Sequence, residues 1–248
     1  MIPKIIHYCW FGGKPLPPLA EKCLASWKKY CPEYKIIRWD ENNFDISSVP
    51  YVDEAYKAKK YAFVTDYVRL YALYHCGGIY MDTDVEVLKP LERFLNHRAF
   101  SGFENTDMVP TGIMGSEKGG VWVAEELQYY SSRHFLLSNG QFDLTPNTKT
   151  ITEHLVKSGF LLNNSYQEHR GVISMYPKDF FCPKSWVTNE LHITENTHTI
   201  HHFNGSWVPA YKKFLLKILK IVQKFVGEKN INHILQALKN LFARYNTK

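Results

Sequence analysis

The sequence predicts an α/β protein with a mostly parallel central sheet. Short apolar runs alternate with stretches of helical periodicity through most of the chain, the pattern of parallel strands covered by helices on both faces. The 248 residues are 45% hydrophobic and 15% aromatic, which is enough to build one large core. Residues 66–84 read as a helix, a double-glycine turn and a strand that ends in two carboxylates. Because ligands bind at strand ends in such sheets, this segment predicts where the functional site lies.

The first part of the chain predicts two strands and two helices. An apolar strand covers 4–10 and ends at a Phe-Gly-Gly turn. Two prolines begin a helix that runs to residue 30, and a second strand covers 34–39. A longer helix occupies much of 52–76, with Gly77 as its C-terminal cap.

The remaining body is predicted as shorter elements. A strand at 79–82 is followed by an apolar–polar alternation at 85–87. Further strands are expected near 99–103 and 111–115, and helices at 120–133 and 147–157. Residues 160–206 have no clear period, so we expect short strands and loops there.

The C-terminal residues differ from the body in charge. The formal net charge is +6, yet residues 211–248 hold nine Lys or Arg and one acidic residue, so the body is slightly acidic. Apolar residues recur at helical spacing in the same stretch. We therefore predict a globular domain at 1–208 and a basic, amphipathic helical tail at 209–248.

Two placements are open for this tail. It packs on the body as a helical hairpin with solvated lysines, or it lies on an anionic membrane surface, where each lysine adds about 1 kcal/mol. Binding to nucleic acid is disfavoured, because the basic residues are interleaved with Leu, Ile and Phe at the helical spacing of an amphipathic helix.

Cysteine usage and hydropathy favour a cytoplasmic protein. The five cysteines form no CxxC pair and leave an odd one over, which is typical of reduced thiols rather than of a disulfide framework or a zinc site. We identify no signal peptide, and no window reaches the roughly 18–20 apolar residues that span a bilayer.

Asp82 and Asp84 are the strongest candidates for chemistry. They stand two apart on a segment expected to be extended, so both side chains would point to one face, where a divalent cation would offset their repulsion. Asp66 and Arg69 stand three apart on the preceding helix and share a face. They either form a solvated ion pair or, brought back by the glycine turn, hydrogen-bond a sugar hydroxyl or a phosphate.

Two further features add candidate ligands. His201 and His202 precede a glycine turn near the end of the body, and an imidazole is a suitable third ligand for an ion held by carboxylates. Only one of the two can face the ion from an extended run, and His202 is favoured. Trp10, at the end of the first strand, either belongs to the core or stacks on a nucleotide base.

Three segments together resemble glycosyltransferase family 32. They are I-P-K-I-I-H-Y-C-W-F-G-G at 2–13, the segment 66–84 with its D-x-D ending, and His-Phe-Asn-Gly-Ser-Trp at 202–207. That family contains the "DXD sugar-binding motif" enzymes of capsule and exopolysaccharide synthesis, and it is related to the catalytic domain of the large clostridial glucosylating toxins. The resemblance implies a GT-A, Rossmann-like nucleotide-sugar transferase fold over 1–208.

The resemblance also implies roles for individual residues. The metal would be held by Asp82, Asp84 and His202, because H-x-x-G at 202–205 is similar to the ending of the related family 8 transferases. The ion is expected to be manganese, with magnesium as the alternative. Catalysis would rest on Asp66, Arg69, Asp82 and Asp84, and the donor would be bound by Trp10, Gly12, Asp66, Arg69, Tyr80, Asp82, Ser206 and Trp207.

The expected activity is that of a retaining, metal-dependent glycosyltransferase. It would move a hexose or N-acetylhexosamine from a nucleotide sugar, with a UDP-sugar favoured, to a glycan or lipid-linked oligosaccharide acceptor in capsule or other surface polysaccharide synthesis. A lipid-linked acceptor favours the membrane placement of the tail, at the inner face of the cell membrane. The alternatives are a non-catalytic, membrane-associated nucleotide-sugar-binding protein and a nucleotide-sugar hydrolase. Residues 103–115, including Glu104 and Gly112, and the loop at 140–148 are expected to shape the sugar and acceptor pockets.

Overall fold

The computed structural model describes residues 1–186 and 188–205. Residues Met1–Asn204 form one compact unit. The strands are β1 (Ile5–Cys9), β2 (Lys35–Trp39), β3 (Gly78–Met81), β4 (Val85–Val87), β5 (Ala99–Gly102), β6 (Ile113–Ser116), β7 (Gln167–His169), β8 (Ile173–Tyr176) and β9 (Thr199–His201). The helices are α1 (Pro18–Tyr30), α2 (Pro50–Lys57), α3 (Tyr61–Cys76), α4 (Val121–Gln128), α5 (Asn147–Lys157) and α6 (Lys178–Phe181).

Seven of these strands form the central sheet, in the order β2-β1-β3-β6-β5-β8-β7. Strand β1 is parallel to β2 and β3, and β5 is parallel to β8, whereas β6 is antiparallel to β3 and β5, and β7 to β8. Five of the seven strands therefore run in one direction. This confirms the predicted α/β class with a mostly parallel sheet, and it agrees with the GT-A architecture that the resemblance implies.

Helices cover both faces of this sheet. Strand β3 shows the division, because Tyr80 packs in the core cluster that contains α3, whereas Ile79 and Met81 pack in the cluster that contains α1. Trp27 of α1 is fully buried and donates its Nε1–H to the carbonyl oxygen of Val85 at 2.7 Å. Helix α1 therefore holds β4 in place beneath the predicted site.

A buried histidine joins β1 to the double-glycine turn. His7 donates Nε2–H to the carbonyl oxygen of Gly77 at 2.8 Å and accepts the Nε1–H of Trp39 at Nδ1 at 3.0 Å. Gly78 has φ +113°, and a Cβ there would lie 2.6 Å from the carbonyl oxygen of Ile5. The chain therefore leaves α3 and enters β3 directly against β1, which only glycine permits at this spacing.

A second, two-stranded sheet pairs β4 with β9, with Val85 opposite His201. The sequence did not predict this pairing. It brings the end of the described chain beside the turn that follows β3, although the two segments are more than a hundred residues apart in sequence.

Several predicted boundaries differ from the structure. The helix expected within 52–76 is two helices, because the chain turns between them and Lys59 takes φ +56°. The helix expected at 120–133 ends at Gln128. The strand expected at 79–82 begins at Gly78 and ends at Met81, which leaves Asp82 outside it.

The predicted tail at 209–248 lies outside the described residues, as do Ser206 and Trp207. The domain boundary after residue 208 and the choice between body-packed and membrane-bound helices therefore stay predictions. Within the described ranges, every helix is too short or too polar to cross a bilayer.

We predict that Gly78→Ala destabilises the fold more than Gly140→Ala. Gly140 also has a positive φ, of +77°, but a Cβ there meets open space, so its replacement carries the conformational cost alone, about 1–2 kcal/mol. At Gly78 the contact with the Ile5 carbonyl adds to that cost. Urea unfolding of both variants measures the difference, and equal losses would contradict the close approach of β3 to β1.

We also predict that stability falls as the pH drops below about 6.5. Burial lowers the pKa of His7 below its ordinary value of 6.5, although the bond to Gly77 opposes this effect. The unfolded chain therefore binds this proton more readily than the folded chain does. His7→Gln should be less stable at neutral pH, yet its free energy of unfolding should fall less steeply on acidification. An unchanged slope would show that His7 does not contribute.

Candidate functional site

Asp82 and Asp84 flank a tight turn between β3 and β4. The backbone N–H of Val85 donates to the carbonyl oxygen of Asp82 at 3.0 Å, and β3 has already ended at Met81. The expectation that both carboxylates share one face of an extended strand was wrong. The turn instead curls the chain so that both carboxylates converge on one point.

This turn is fixed from two sides. The N–H of Asp82 donates to the carbonyl oxygen of Gly112 at 2.8 Å, and a Cβ at position 112 would lie 3.1 Å from the Asp82 carboxylate. On the other side, Asn204 donates its backbone N–H to Oδ2 of Asp84 at 2.7 Å. The loop before β6 and the segment after β9 therefore hold the two acidic residues.

His201, rather than His202, completes the cluster. Its Nε2 lies 3.4 Å from Oδ1 of Asp84 and 3.9 Å from Oδ2 of Asp82, and one ligand atom from each residue falls within 4.8 Å of the others. His202 instead forms a 2.8 Å hydrogen bond with Glu86. The reason is the alternation of side chains, since Ile200 lies opposite Glu86 and His202 follows two residues later on the same side.

Asp66 and Arg69 of α3 lie in the same cluster. Of the two placements that the sequence left open, this is the one in which the glycine turn brings the pair back to the site. Arg69 Nη2 lies 3.3 Å from Oδ1 of Asp66 and 3.3 Å from Oδ1 of Asp82, and its guanidinium stacks 4.6 Å above the ring of Tyr80. Tyr80 donates its hydroxyl proton to Oδ1 of Asp82 at 2.8 Å. The pair is buried rather than solvated, so it belongs to the site.

Electrostatics couple Asp84 to His201. Burial would raise the pKa of Asp84, but the charge and hydrogen bonding of His201 outweigh burial and lower that pKa to about 2. Burial likewise disfavours a charged His201, and Asp84 nevertheless raises the pKa of the imidazole well above its ordinary value. A cation that bound here would therefore displace a proton from His201.

Burial also raises the pKa of Asp66 to about 6, against the opposing charge of Arg69. Whether or not it carries a proton, the Asp66 carboxyl keeps an oxygen that can accept a hydrogen bond.

The donor set fits a divalent cation. Two carboxylates and an imidazole are ligands that manganese accepts, and carboxylates also suit magnesium. Four acidic side chains surround the point of convergence and two basic ones oppose them: Asp66, Asp82, Asp84 and Glu104 against Arg69 and His201. This excess of negative charge favours a cation.

Trp10 and Gly12 lie at the end of β1. Trp10 is half-buried and donates its Nε1–H to the carbonyl oxygen of Lys14 at 2.6 Å. Gly12 has φ +90°, and its N–H donates to Oε1 of Glu41 at 2.6 Å. Both residues shape the β1 turn, and their predicted contact with a donor stays a prediction.

The sequence predicted no contact with the metal or donor site for two residues that the structure brings there. Glu104 lies 3.8 Å from Nδ1 of His201, and Asn147, the first residue of α5, donates its backbone N–H to Oδ2 of Asp66 at 3.3 Å. Both fall in segments that were expected to shape the pockets. Their roles depend on tertiary contacts, which no local pattern signals.

The sequence matches a family model described as the glycosyltransferase sugar-binding region containing DXD motif, over residues 17–101. Inositol phosphoceramide mannosyltransferase 3 of Schizosaccharomyces pombe is 29% identical over 126 residues, which are 48% of this chain and 34% of that protein. This chain therefore spans about a third of that relative's length. Uncharacterized glycosyltransferase L373 of Acanthamoeba polyphaga mimivirus is 26% identical over 223 residues, which are 86% of each chain.

Two solved structures also align with the chain. The PaToxG glycosyltransferase has a TM-score of 0.47 and 17% identity, with 63% of this chain and 69% of that one covered. A glycosyltransferase involved in glycosylation of the PBCV-1 major capsid has a TM-score of 0.49 and 13% identity, with 87% and 100% covered. Both TM-scores lie below 0.5, and the α/β class follows from the strand order and directions of the central sheet.

The matched sugar-binding region contains Asp66, Arg69, Asp82 and Asp84, the residues that the structure brings together. Together with the two glycosyltransferase relatives, this match shows that the chain is similar to glycosyltransferases that carry the DXD sugar-binding region.

We predict that His201→Ala weakens Mn²⁺ binding and that His202→Ala does not. His201→Ala removes a candidate ligand, so the affinity for Mn²⁺ should fall by more than the roughly 10–100-fold typical of outer-shell changes. His202→Ala removes the bond to Glu86 and should leave that affinity nearly unchanged. Titration of Mn²⁺ by electron paramagnetic resonance measures both affinities, and the reverse order of losses would overturn the assignment.

Proposed function

We propose that the chain is a metal-dependent, retaining glycosyltransferase. It moves a hexose or N-acetylhexosamine from a nucleotide sugar, a UDP-sugar in the first instance, to a growing glycan. The observation that carries this proposal is the convergence of Asp82, Asp84 and His201 within 4.8 Å, directly beside the Asp66–Arg69 pair. A cation site and a polar, charged site for sugar hydroxyls are thus adjacent.

Asp82, Asp84 and His201 would hold the divalent cation, which acts as a Lewis acid toward the charge on a departing nucleoside diphosphate. Arg69 holds Asp82 in position and offsets the charge of Asp66. Asp66 accepts hydrogen bonds from hydroxyls of the donor sugar, and Tyr80 fixes the Asp82 carboxylate through its own hydroxyl. The cation and Asp66 would thus orient the donor before the bond breaks, while Arg69 and Tyr80 act through Asp82.

The ion pairs of the site support same-face substitution as the route by which the proposed enzyme retains the anomeric configuration. In the described chain, the acidic residues of the site each face a basic partner: Asp66 and Asp82 face Arg69, while Asp84 and Glu104 face His201. A carboxylate engaged in this way is a poor nucleophile. The leaving phosphate would instead accept the proton of the acceptor hydroxyl.

A lipid-linked acceptor is the most specific part of the proposal. The Schizosaccharomyces pombe relative is named for mannose transfer to inositol phosphoceramide, which is a lipid. Basic residues concentrated at 211–248 suit an anionic membrane surface. We place the proposed activity in capsule or other surface polysaccharide synthesis at the inner face of the cell membrane, and these two features support a membrane-bound acceptor.

We predict Mn²⁺-dependent binding and slow hydrolysis of one nucleotide sugar. Calorimetric titration of the full chain with UDP- and GDP-sugars, with Mn²⁺ and then with EDTA, identifies the donor, and release of UDP or GDP reports turnover. Asp84→Asn should lower the turnover rate by more than about 100-fold. Asp53→Asn, which removes the charge of a partly exposed carboxylate paired with Lys57, should not change it.

The alternatives give different results in the same experiment. Donor binding without turnover on any tested acceptor would favour a non-catalytic nucleotide-sugar-binding protein. Hydrolysis of the nucleotide sugar without transfer to any glycan or lipid acceptor would favour a nucleotide-sugar hydrolase. Absence of binding to every nucleotide sugar would contradict the proposed function.

A further inference from the structure

Glu104 is a half-buried acidic residue with a fixed backbone beside the proposed cation site. It follows β5, and its N–H donates to the carbonyl oxygen of Met108 at 2.9 Å, which closes a short loop. The preceding Phe103 donates its N–H to Tyr176 at 2.9 Å. The Glu104 carboxyl lies beside His201, and 17% of its side chain is exposed.

The two ring nitrogens of His201 have different surroundings. Nε2 faces Asp84 and Asp82, whereas Nδ1 lies 3.8 Å from Oε1 of Glu104. Nδ1 is buried and has no hydrogen-bond partner among the described residues. A buried N–H without a partner is costly, and a movement of about 1 Å would complete a hydrogen bond to Glu104.

The ring itself has little freedom to turn. The ring of Phe203 lies 4.2 Å from the His201 ring, centroid to centroid, and Gly112 lies so close on another side that a Cβ there would be 3.2 Å from Cε1 of His201. Packing therefore limits the orientation of the ring. A neighbouring group must still determine which ring nitrogen carries the proton when His201 binds a cation.

We propose that Glu104 is a positioning residue that accepts the Nδ1–H of His201 and so presents the Nε2 lone pair to the cation. The inference rests on the proposed metal-dependent function. Histidines that bind metals commonly donate their second N–H to a carboxylate, which fixes the tautomer and raises ligand basicity. Glu104 reaches the nitrogen remote from Asp82 and Asp84, so it acts through His201.

Charge and burial agree with this role. Burial raises the pKa of Glu104, and the charge of His201 is the largest influence that opposes the rise. Glu104 and His201 therefore stabilise each other in a setting where either charge alone would be costly.

Cys182 is the competing partner for His201. Cys182 contributes to the raised pKa of His201, although no hydrogen bond to Nδ1 of the imidazole is formed within the described chain. A carboxylate is a stronger acceptor than a thiol, which favours Glu104. The two candidates are separable because each can be replaced alone.

The test is a Mn²⁺ titration of the full chain, followed by electron paramagnetic resonance, for wild type and four variants. Glu104→Ala should weaken Mn²⁺ binding by about 10–100-fold. Glu104→Gln should lose less, because its amide oxygen can still accept the Nδ1–H. Cys182→Ala and the matched control Glu126→Gln, which alters a buried carboxylate bonded to His154 elsewhere, should bind as wild type does.

The outcomes separate this inference from the proposed function. If wild type binds Mn²⁺ and both Glu104 variants bind it equally well, the inference is wrong while the cation site stands. If Cys182→Ala alone reproduces the loss, Cys182 is the partner and the inference is again wrong. Failure of wild type to bind Mn²⁺ would remove the cation site and both proposals with it. Thermal unfolding without metal checks that each variant folds.

Discussion

The close approach of two carboxylates at the end of β3 is the constraint on which this site depends. Asp82 and Asp84 repel each other, and both are partly shielded from water. The fold opposes this repulsion with fixed basic groups from two directions, Arg69 from α3 and His201 from the β9 strand. The site therefore exists only when a helix, a turn and a distant strand are assembled together.

The scaffold around the turn explains why that assembly is possible. His7 bridges β1 to the glycine turn, and Gly78 lets β3 pass directly against β1. Trp27 supports β4 from the opposite face of the sheet. These contacts are buried and remote from the chemistry, yet they set the positions of Arg69 and Asp82.

The local sequence pattern was sufficient to predict most of this scaffold. The three-residue spacing of Asp66 and Arg69, the glycine cap at Gly77 and the apolar lead-in to Asp82 are short-range features, and each predicted the correct element or face. The predictions that failed concerned residues whose positions depend on contacts between segments distant in sequence. The choice between His201 and His202 is set by the register of β4 against β9, and the convergence of Asp82 and Asp84 is set by a turn whose backbone no local motif specified. Glu104 lies beside His201 only because β9 pairs with β4.

Anomalous X-ray scattering from crystals grown with Mn²⁺ and a UDP-sugar tests the central claim most directly. We expect one strong manganese peak within coordination distance of Asp82, Asp84 and Nε2 of His201, with the diphosphate beside it. A peak coordinated by His202 in place of His201, or a bound donor without manganese at Asp82 and Asp84, would contradict the account.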